Sequence, residues 1–455
     1  MPAQEIHRRS GGAVLPDPVG STPIHTEKRC RRRRALTRSA PPTDWRQPLR
    51  AALAALPAER QRQLRIYAGA SEPGAGAGLV PLPAPPEPEA APAGAPLLDL
   101  ASNDYLGLSR HPAVLAAAAA ELATSGLGAG ASRLVSGTRP VHQVLEAALA
   151  KWLGRERVLL FPSGFQANLA AVTALADRHT LVLADRLIHH SLLVGVRASG
   201  AGLRRFAHND PADLEHLLVA ARRERPDARL LVLCESLYSM EGTHAPLPAL
   251  SALCARHGAP LLVDEAHALG VLGPAGRGLA HGLPEVAIVC GTFGKAFGGG
   301  GAFLAADEPV GEWLLQSSGA FRYSTALAPP LAAGALAALH HLGTDPAGQA
   351  RGALLARAAR WREALAAAGW PRPPGDGPIL PLIVGDDGRA LALQARLEAA
   401  GLLTVAIRPP AVPAGSARLR LVLRQDLPSA ILPRLLEALG PCPLELQPHP
   451  QTAPP

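Results

Sequence analysis

The chain has 455 residues, 48% of them hydrophobic, and a formal net charge of +8, enough to bury a large core and to form one large domain with a smaller one beside it. The charge is lopsided: residues 1–50 hold eleven Lys/Arg against four Asp/Glu, leaving 34 against 33 over the remainder, so the body is near neutral and carries no basic stripe for nucleic acid. Five scattered cysteines without CxxC or zinc-type spacing argue against a disulfide framework and against a metal, and the lack of a long apolar run or secretory signal predicts a cytoplasmic protein without a membrane span.

Residues 1–44 are rich in Arg, Pro, Ser and Gly and lack hydrophobic periodicity, which predicts a disordered arm around "KRCRRRRALTR" (28–38). Such an arm suits a targeting or anionic-surface segment, or an extension without function. An anionic-polymer binder acting through it is the reading outside enzymology, and the near-neutral body argues against that. Residues 45–100 read as an N-terminal helix, from Trp45 to Tyr67, followed by a Gly/Ala/Pro-rich linker over 68–96.

Order begins at "LLDLASNDYLGL" (97–108). "RVLLF" (157–161), "TLVLAD" (180–185), "ARLLVLCES" (228–236), "APLLVDEA" (259–266) and "VAIVCGTF" (286–293) are near-continuous apolar runs with helical segments between several of them. Runs of this kind belong to a mostly parallel, doubly wound α/β sheet covered on both faces, with ligands at the carboxyl ends of its strands. This large domain is expected over 101–328. Helices then lead to "ILPLIVG", "LLTVAIRPP" and "ARLRLVL", a smaller α+β domain over 329–440, with a tail from 441 to 455.

Polar residues gather where the strands stop. Ser163, Gly164 and Phe165 follow the first; Asp185 and His189 the second; Glu235 and Ser239 the third; Asp264 and His267 the fourth; Thr292 and Lys295 the fifth. Five such clusters in register on one sheet predict a site. Ser163–Gly164 at a helix start suits a phosphate cradle or an ordinary Ser cap.

The segment "GTFGKAFGGGG" (291–301) sets Lys295 among glycines in a chain with only two other lysines, Lys28 and Lys151, against 42 arginines. It is not a phosphate-binding loop of the nucleotide type, because Ala296 stands where a magnesium-holding Ser/Thr is needed. A primary amine forms an imine and a guanidinium does not, so Lys295 suits a Schiff base. Asp264 then suits the ring nitrogen of a pyridinium cofactor, and His189 its ring face.

These stretches, with "SNDYLGL" (102–108), "GAGASRLVSGT" (128–138), "LFPSGFQAN" (160–168), "ESLYSMEG" (235–242), "VDEAHALGV" (263–271), "TFGKAFG" (292–298), "YSTALAP" (323–329) and "VAIRPPAVPAGSARLRL" (405–421), make the chain similar to the α-oxoamine synthases, a family of fold-type-I pyridoxal-phosphate enzymes. The match is colinear over about residues 49–440. The resemblance implies pyridoxal 5'-phosphate on Lys295, Asp264 at the ring nitrogen, His267 at the ring hydroxyl and His189 stacked on the ring. It implies that Gly164, Phe165, Ser239 and Thr292 hold the cofactor, with Thr325 reaching a phosphate from the partner subunit of a homodimer. Asn103 and Arg408 correspond to the pair for the amino-acid carboxylate, and Arg65 to a substrate-binding Arg. Ser132, in place of Thr, leaves room for a methyl group. That favours the branch that condenses L-alanine with a pimeloyl thioester, carried by coenzyme A or an acyl-carrier protein, over the glycine-using branches. Ala411 stands where relatives often carry Thr, the 68–96 segment has little in common with the hairpin expected there, and the arm matches nothing in the family.

Overall fold

The computed structural model describes residues 44–69, 78–82 and 95–442; the Arg-rich arm up to residue 43 and the tail beyond 442 lie outside the described residues. The described chain divides into a unit ending at Leu56 and a unit from Pro57 onward. The first holds the helix Gln47–Ala54. This corrects the single helix expected from Trp45 to Tyr67. Pro57 has no N–H to donate and disfavours helical backbone at the residue before it, so the helix ends ahead of it. A short 3₁₀ turn, Ala58–Arg60, follows.

The second unit opens with β1 (Ile66–Gly69), β2 (Gly78–Leu82) and β3 (Leu97–Asp99). β1 and β2 pair antiparallel, with Ile66 opposite Leu82, so part of the expected linker is a strand. The Gly/Pro-rich composition on either side masks five residues, "GLVPL", whose apolar alternation is too short to stand out.

The central sheet contains β4 (Arg157–Phe161), β5 (Thr180–Asp185), β6 (Gly202–Phe206), β7 (Arg229–Glu235), β8 (Leu261–Asp264), β9 (Val286–Thr292) and β10 (Ala302–Ala306) in the order β4-β10-β9-β8-β7-β5-β6. β10 runs antiparallel to both neighbours, while the other strands share one direction, β5 through β9 in parallel pairs. Two strands escaped the reading of apolar runs. β6, "GLRRF", is an edge strand with Leu203 and Arg205 exposed. β10, "AFLAA", is short and emerges straight from the glycines. Both sheet faces are covered. Val182, Leu231, Leu262 and Ile288 belong to one apolar cluster and Leu183, Val232, Val263 and Val289 to the other, the period-two arrangement of a strand buried on both sides.

Past the helices Pro329–Leu342 and Asp345–Ala367 come β11 (Ile379–Gly385), β12 (Leu402–Leu403), β13 (Val405–Ile407) and β14 (Ala417–Val422). β11, β14 and β13 form a small antiparallel sheet, while β12 pairs parallel with β3. The boundary expected at 328/329 lies inside this unit: one core cluster runs from Leu183 and Val232 through Leu327 and Leu339 to Leu421 and Leu435.

A buried ion cluster ties the 99–104 loop to the end of β14. The Arg424 guanidinium lies 2.8 Å from Asp426, 3.3 Å from Asp99 and 3.5 Å from Asp104, and donates to Ser102 Oγ at 3.0 Å. Removing it strands carboxylates away from water. Arg424→Met is expected to cost about 3–5 kcal/mol in urea unfolding. Arg256→Met, which breaks only an exposed pair with Glu215, is expected to cost less than about 1 kcal/mol in the same assay.

Candidate active site

The shared direction of β4, β5, β7, β8 and β9 brings five chain segments to one edge of the sheet. There they enclose a cavity of about 190 Å³ lined by Gly164, Phe165, Asn168, His189, Glu235, Asp264, Ala266, His267, Cys290, Thr292 and Lys295. Eight of the residues singled out from sequence are therefore together: Lys295, Asp264, His267, His189, Gly164, Phe165 and Thr292, and Glu235, which was marked only by its place after a strand.

Asp264 ends β8 and is buried. Its Oδ2 accepts from Asn168 Nδ2 at 2.6 Å and its Oδ1 from the Ala266 amide at 2.9 Å. Donors on both oxygens suit an anion. Asn168 Nδ2 also donates to Ser191 Oγ at 3.0 Å, and Ser191 Oγ lies 2.6 Å from His189 Nδ1. The His189 ring is thereby oriented through the same network, and the burial of its inner part pushes its pKa down. Asn168 was quoted within a matching stretch but given no role from sequence; its position one turn into the helix after β4 is the signal that was available.

His267 is buried, with Nδ1 2.6 Å from the hydroxyl of the fully buried Tyr105. Burial, with Lys295 and Arg420 nearby, holds its pKa well below the usual imidazole value. The imidazole is therefore neutral, with one ring nitrogen on Tyr105 and the other free for the cavity. Lys295 follows β9 in a glycine-rich turn. Burial draws its pKa down to about 8, against the opposing pull of Asp264 and Glu235. The glycines beside it have a packing cause at Gly298: φ is +69° there, and a Cβ would run into the backbone of Leu108 and Ser109. The loop after "SNDYLGL" thus lies directly against the lysine turn.

The helix Gly164–Leu175 points its N-terminus into the cavity. Ser163 caps it, its Oγ accepting from the Gln166 amide at 3.3 Å. The cap and the anion-binding readings coexist, because the amides of Gly164 and Phe165 remain for a ligand. Thr292 donates to Gly301 O at 3.0 Å and accepts from the Gly294 amide at 3.2 Å.

The remaining expected residues lie outside this lining. Ser239 flanks it, with its amide 3.2 Å from Glu235 Oε2. Asn103 Oδ1 accepts from Arg420 Nη2 at 3.0 Å, and Arg408, the other residue expected at the amino-acid carboxylate, bonds the carbonyl of Glu59. Arg420 was passed over in the sequence because "ARLRLVL" reads as a plain alternating strand. In the structure it is buried, donates to Ser239 O at 2.6 Å, and depresses the pKa of both His267 and Lys295. Arg65 is held by Glu398 and lies over the Tyr67 ring. Ser132 forms a backbone bridge with Thr325, and Thr325 is exposed.

The model of the family described as aminotransferase class I and II matches residues 95–439. The chain belongs to this family. It is 46% identical over 353 residues to an 8-amino-7-oxononanoate synthase of Stutzerimonas stutzeri, covering 77% of this chain and 88% of the relative. Among solved structures it resembles a serine palmitoyltransferase from S. paucimobilis with a bound pyridoxal phosphate–myriocin adduct (30% identity, TM-score 0.74, 80% of this chain and 88% of the other). It also resembles an 8-amino-7-oxononanoate synthase from Francisella tularensis (27% identity, TM-score 0.64, 75% of this chain and 96% of the other).

The cofactor is pyridoxal phosphate, and the donor set suits it: an amine of lowered pKa, a carboxylate dressed with two donors, and a helix N-terminus, all on one cavity. The lowered Lys295 pKa has a measurable consequence. Uptake of the cofactor by cofactor-free protein, followed by visible absorbance, is expected to quicken about tenfold per pH unit below about 8 and to level off above it. A rate still climbing toward the ordinary lysine value of roughly 10.4 would contradict the burial of the amine.

Proposed function

We propose that the chain catalyses the decarboxylative condensation of L-alanine with a pimeloyl thioester, giving 8-amino-7-oxononanoate, CO2 and the free thiol carrier. The observation that carries this reading is Lys295, a half-buried amine of lowered pKa sharing one cavity with Asp264, His189 and His267, in a chain 46% identical to an 8-amino-7-oxononanoate synthase.

The cofactor, when bound, supplies an electron sink for the charge left on alanine's α-carbon. Lys295 Nζ is the base that takes the α-proton, and its pKa of about 8 leaves more of it as free amine near neutrality than an ordinary lysine has. Asp264 would hold the proton of the ring nitrogen, since Asn168 and the Ala266 amide fix its carboxylate in place. His189 would cover the ring face, and His267, turned by Tyr105, would donate to the ring oxygen. The amides of Gly164 and Phe165, with Thr292, would take the phosphate. Arg408, with Asn103, would take alanine's carboxylate, and Arg420, a buried cation bonded to Asn103 Oδ1, would hold Asn103 in place. Arg65, held by Glu398, would meet the acyl donor.

The same reading makes the working form a homodimer. Leu127, Leu134, Val135 and Tyr323 are 80%, 54%, 78% and 79% exposed, and these apolar side chains flank the Ser132–Thr325 bridge in sequence. A second copy covering them would put Thr325 at the partner's phosphate site.

Purified protein supplied with cofactor is expected to turn yellow and to keep the cofactor after borohydride reduction, while Lys295→Ala does neither. Asp264→Asn is expected to lower kcat by about 10²–10³, as removal of a preorganised charge does. Carrier release should favour alanine with pimeloyl thioesters; a preference for glycine with succinyl or acetyl donors would assign the chain to a different condensation.

A further inference from the structure

The carboxyl ends of β5, β6 and β7 border a second cavity, of about 510 Å³, that the reaction as described leaves without a task. It shares two loops with the catalytic cavity. Ile188 and His190, on either side of His189, line it, and so do Met240 and Glu241, which follow Ser239. Three guanidiniums border it. Arg186 follows Asp185 at the end of β5, Arg205 lies on β6 in register with Ala184, and Arg62 stands just ahead of β1.

The charges here are unmatched. Among the described residues, the side chains of Arg186 and Arg205 have no hydrogen-bond or ion-pair partner, and Arg62 has one backbone carbonyl, Pro409 O at 3.2 Å. The carboxylate of the lining, Glu241, is already paired with Arg418 at 3.2 Å. Elsewhere arginines of this near-neutral body meet carboxylates, Arg133 with Glu146 and Arg256 with Glu215. The contrast is sharpest on β6. Arg204 and Arg205 point to opposite faces, and the one outside the cavity is paired, with Glu224, while the one lining it is not. The helix His190–Ser199 starts at the same wall, with His190 and Leu193 in the lining, so its N-terminal dipole adds to the positive field. Cations gathered in this way repel one another unless an anion joins them.

Several guanidinium forks on one cavity match a phosphate, which offers acceptors in more directions than a carboxylate. The three arginines are exposed, and an exposed pair with a single carboxylate gains little. The rest of the wall is largely apolar, with Leu187, Ile188, Leu193, Met240 and Val412, and suits methyl and methylene groups. We propose that this cavity holds the 4'-phosphopantetheine arm of the acyl donor, the part that coenzyme A and an acyl-carrier protein share. Its phosphate sits on Arg62, Arg186 and Arg205, and its thioester end follows the two shared loops toward Lys295. The inference rests on the thioester reaction proposed above.

Calorimetry on the cofactor-loaded protein tests it with 4'-phosphopantetheine and pantetheine, which differ only in the phosphate. Wild type is expected to bind the first about tenfold or more tighter, as charge-assisted bonds to one anion supply, and the gap should narrow with added salt. In Arg186→Gln/Arg205→Gln the gap should close. Both side chains are exposed, so the core is untouched, and Arg204→Gln, on the other face of the same strand, should keep the wild-type gap. Equal affinity for the two probes in wild type, or a gap that survives in the double variant, overturns the proposal. Turnover with alanine identifies the carrier. A fall in kcat/KM in the double variant with pimeloyl-coenzyme A or with pimeloyl-acyl-carrier protein supports the site and names its source, and a fall with neither overturns it. A fall that vanishes when the distal carboxylate of the pimeloyl chain is esterified puts that carboxylate on the arginines and also overturns it. The two readings fail separately: turnover without the phosphate gap removes only this site, whereas the gap without turnover of any pimeloyl donor removes the proposed function and leaves the cavity to another acyl thioester.

Discussion

The organisation of this site follows from withdrawing one ammonium-forming side chain partly from water. Lys295 sits at the end of a sheet covered on both faces, where an isolated charge is costly. Asp264 and Glu235, the two carboxylates in register on the neighbouring strands, oppose that cost, and Arg420 adds to it. The balance leaves an ammonium that gives up its proton at about pH 8, well below an ordinary lysine. The reactivity of the site is thus a property of strand register. Shifting β7 against β8 by one residue would turn Glu235 to the opposite face and leave Lys295 with Asp264 alone.

Holding that balance requires loops from distant parts of the chain to meet at the strand ends. The 99–108 segment supplies Tyr105 to His267 and packs its backbone against Gly298 in the lysine turn. The same segment is anchored from below by Arg424 through Asp99, Ser102 and Asp104. A defect at Arg424 would therefore reach the imidazole of His267 through the backbone of one short loop, although the guanidinium touches neither the cavity nor the lysine.

Apolar runs of four to eight residues made the central strands legible, and the polar residues just beyond them marked the site edge. What stayed hidden was hidden for physical reasons. Ile66–Gly69 and Gly78–Leu82 are too short for periodicity to separate them from the Pro/Gly-rich stretch around them. Gly202–Phe206 looks polar because it is an edge strand with solvent on one side. Arg420 was missed because alternating Arg and Leu on a strand ordinarily means one wet face and one dry face. Here both faces are buried, and nothing in the local pattern tells a solvated arginine from one that is sequestered against another loop. Asn103 was legible as a candidate site residue, but its bond to Arg420 depends on the tertiary fold.

β14 shows why such residues belong to the site even though they lie in the smaller sheet. Arg418 and Arg420 are two apart and so share a face. Arg418 bonds Met240 O and pairs with Glu241 at 3.2 Å, while Arg420 bonds Ser239 O. Together they grip three consecutive residues of the loop that leaves Glu235. That loop supplies the single donor on Glu235, the Ser239 amide. The small sheet therefore holds the loop that carries the Ser239 amide to Glu235. An arginine serves this clamp because its fork spans two backbone carbonyls or a carbonyl and a carboxylate at once. Lysine would not span them, just as arginine would not serve as the amine. The composition of the chain, rich in arginine almost everywhere and lysine at the one point where covalent chemistry needs a primary amine, separates these two tasks residue by residue.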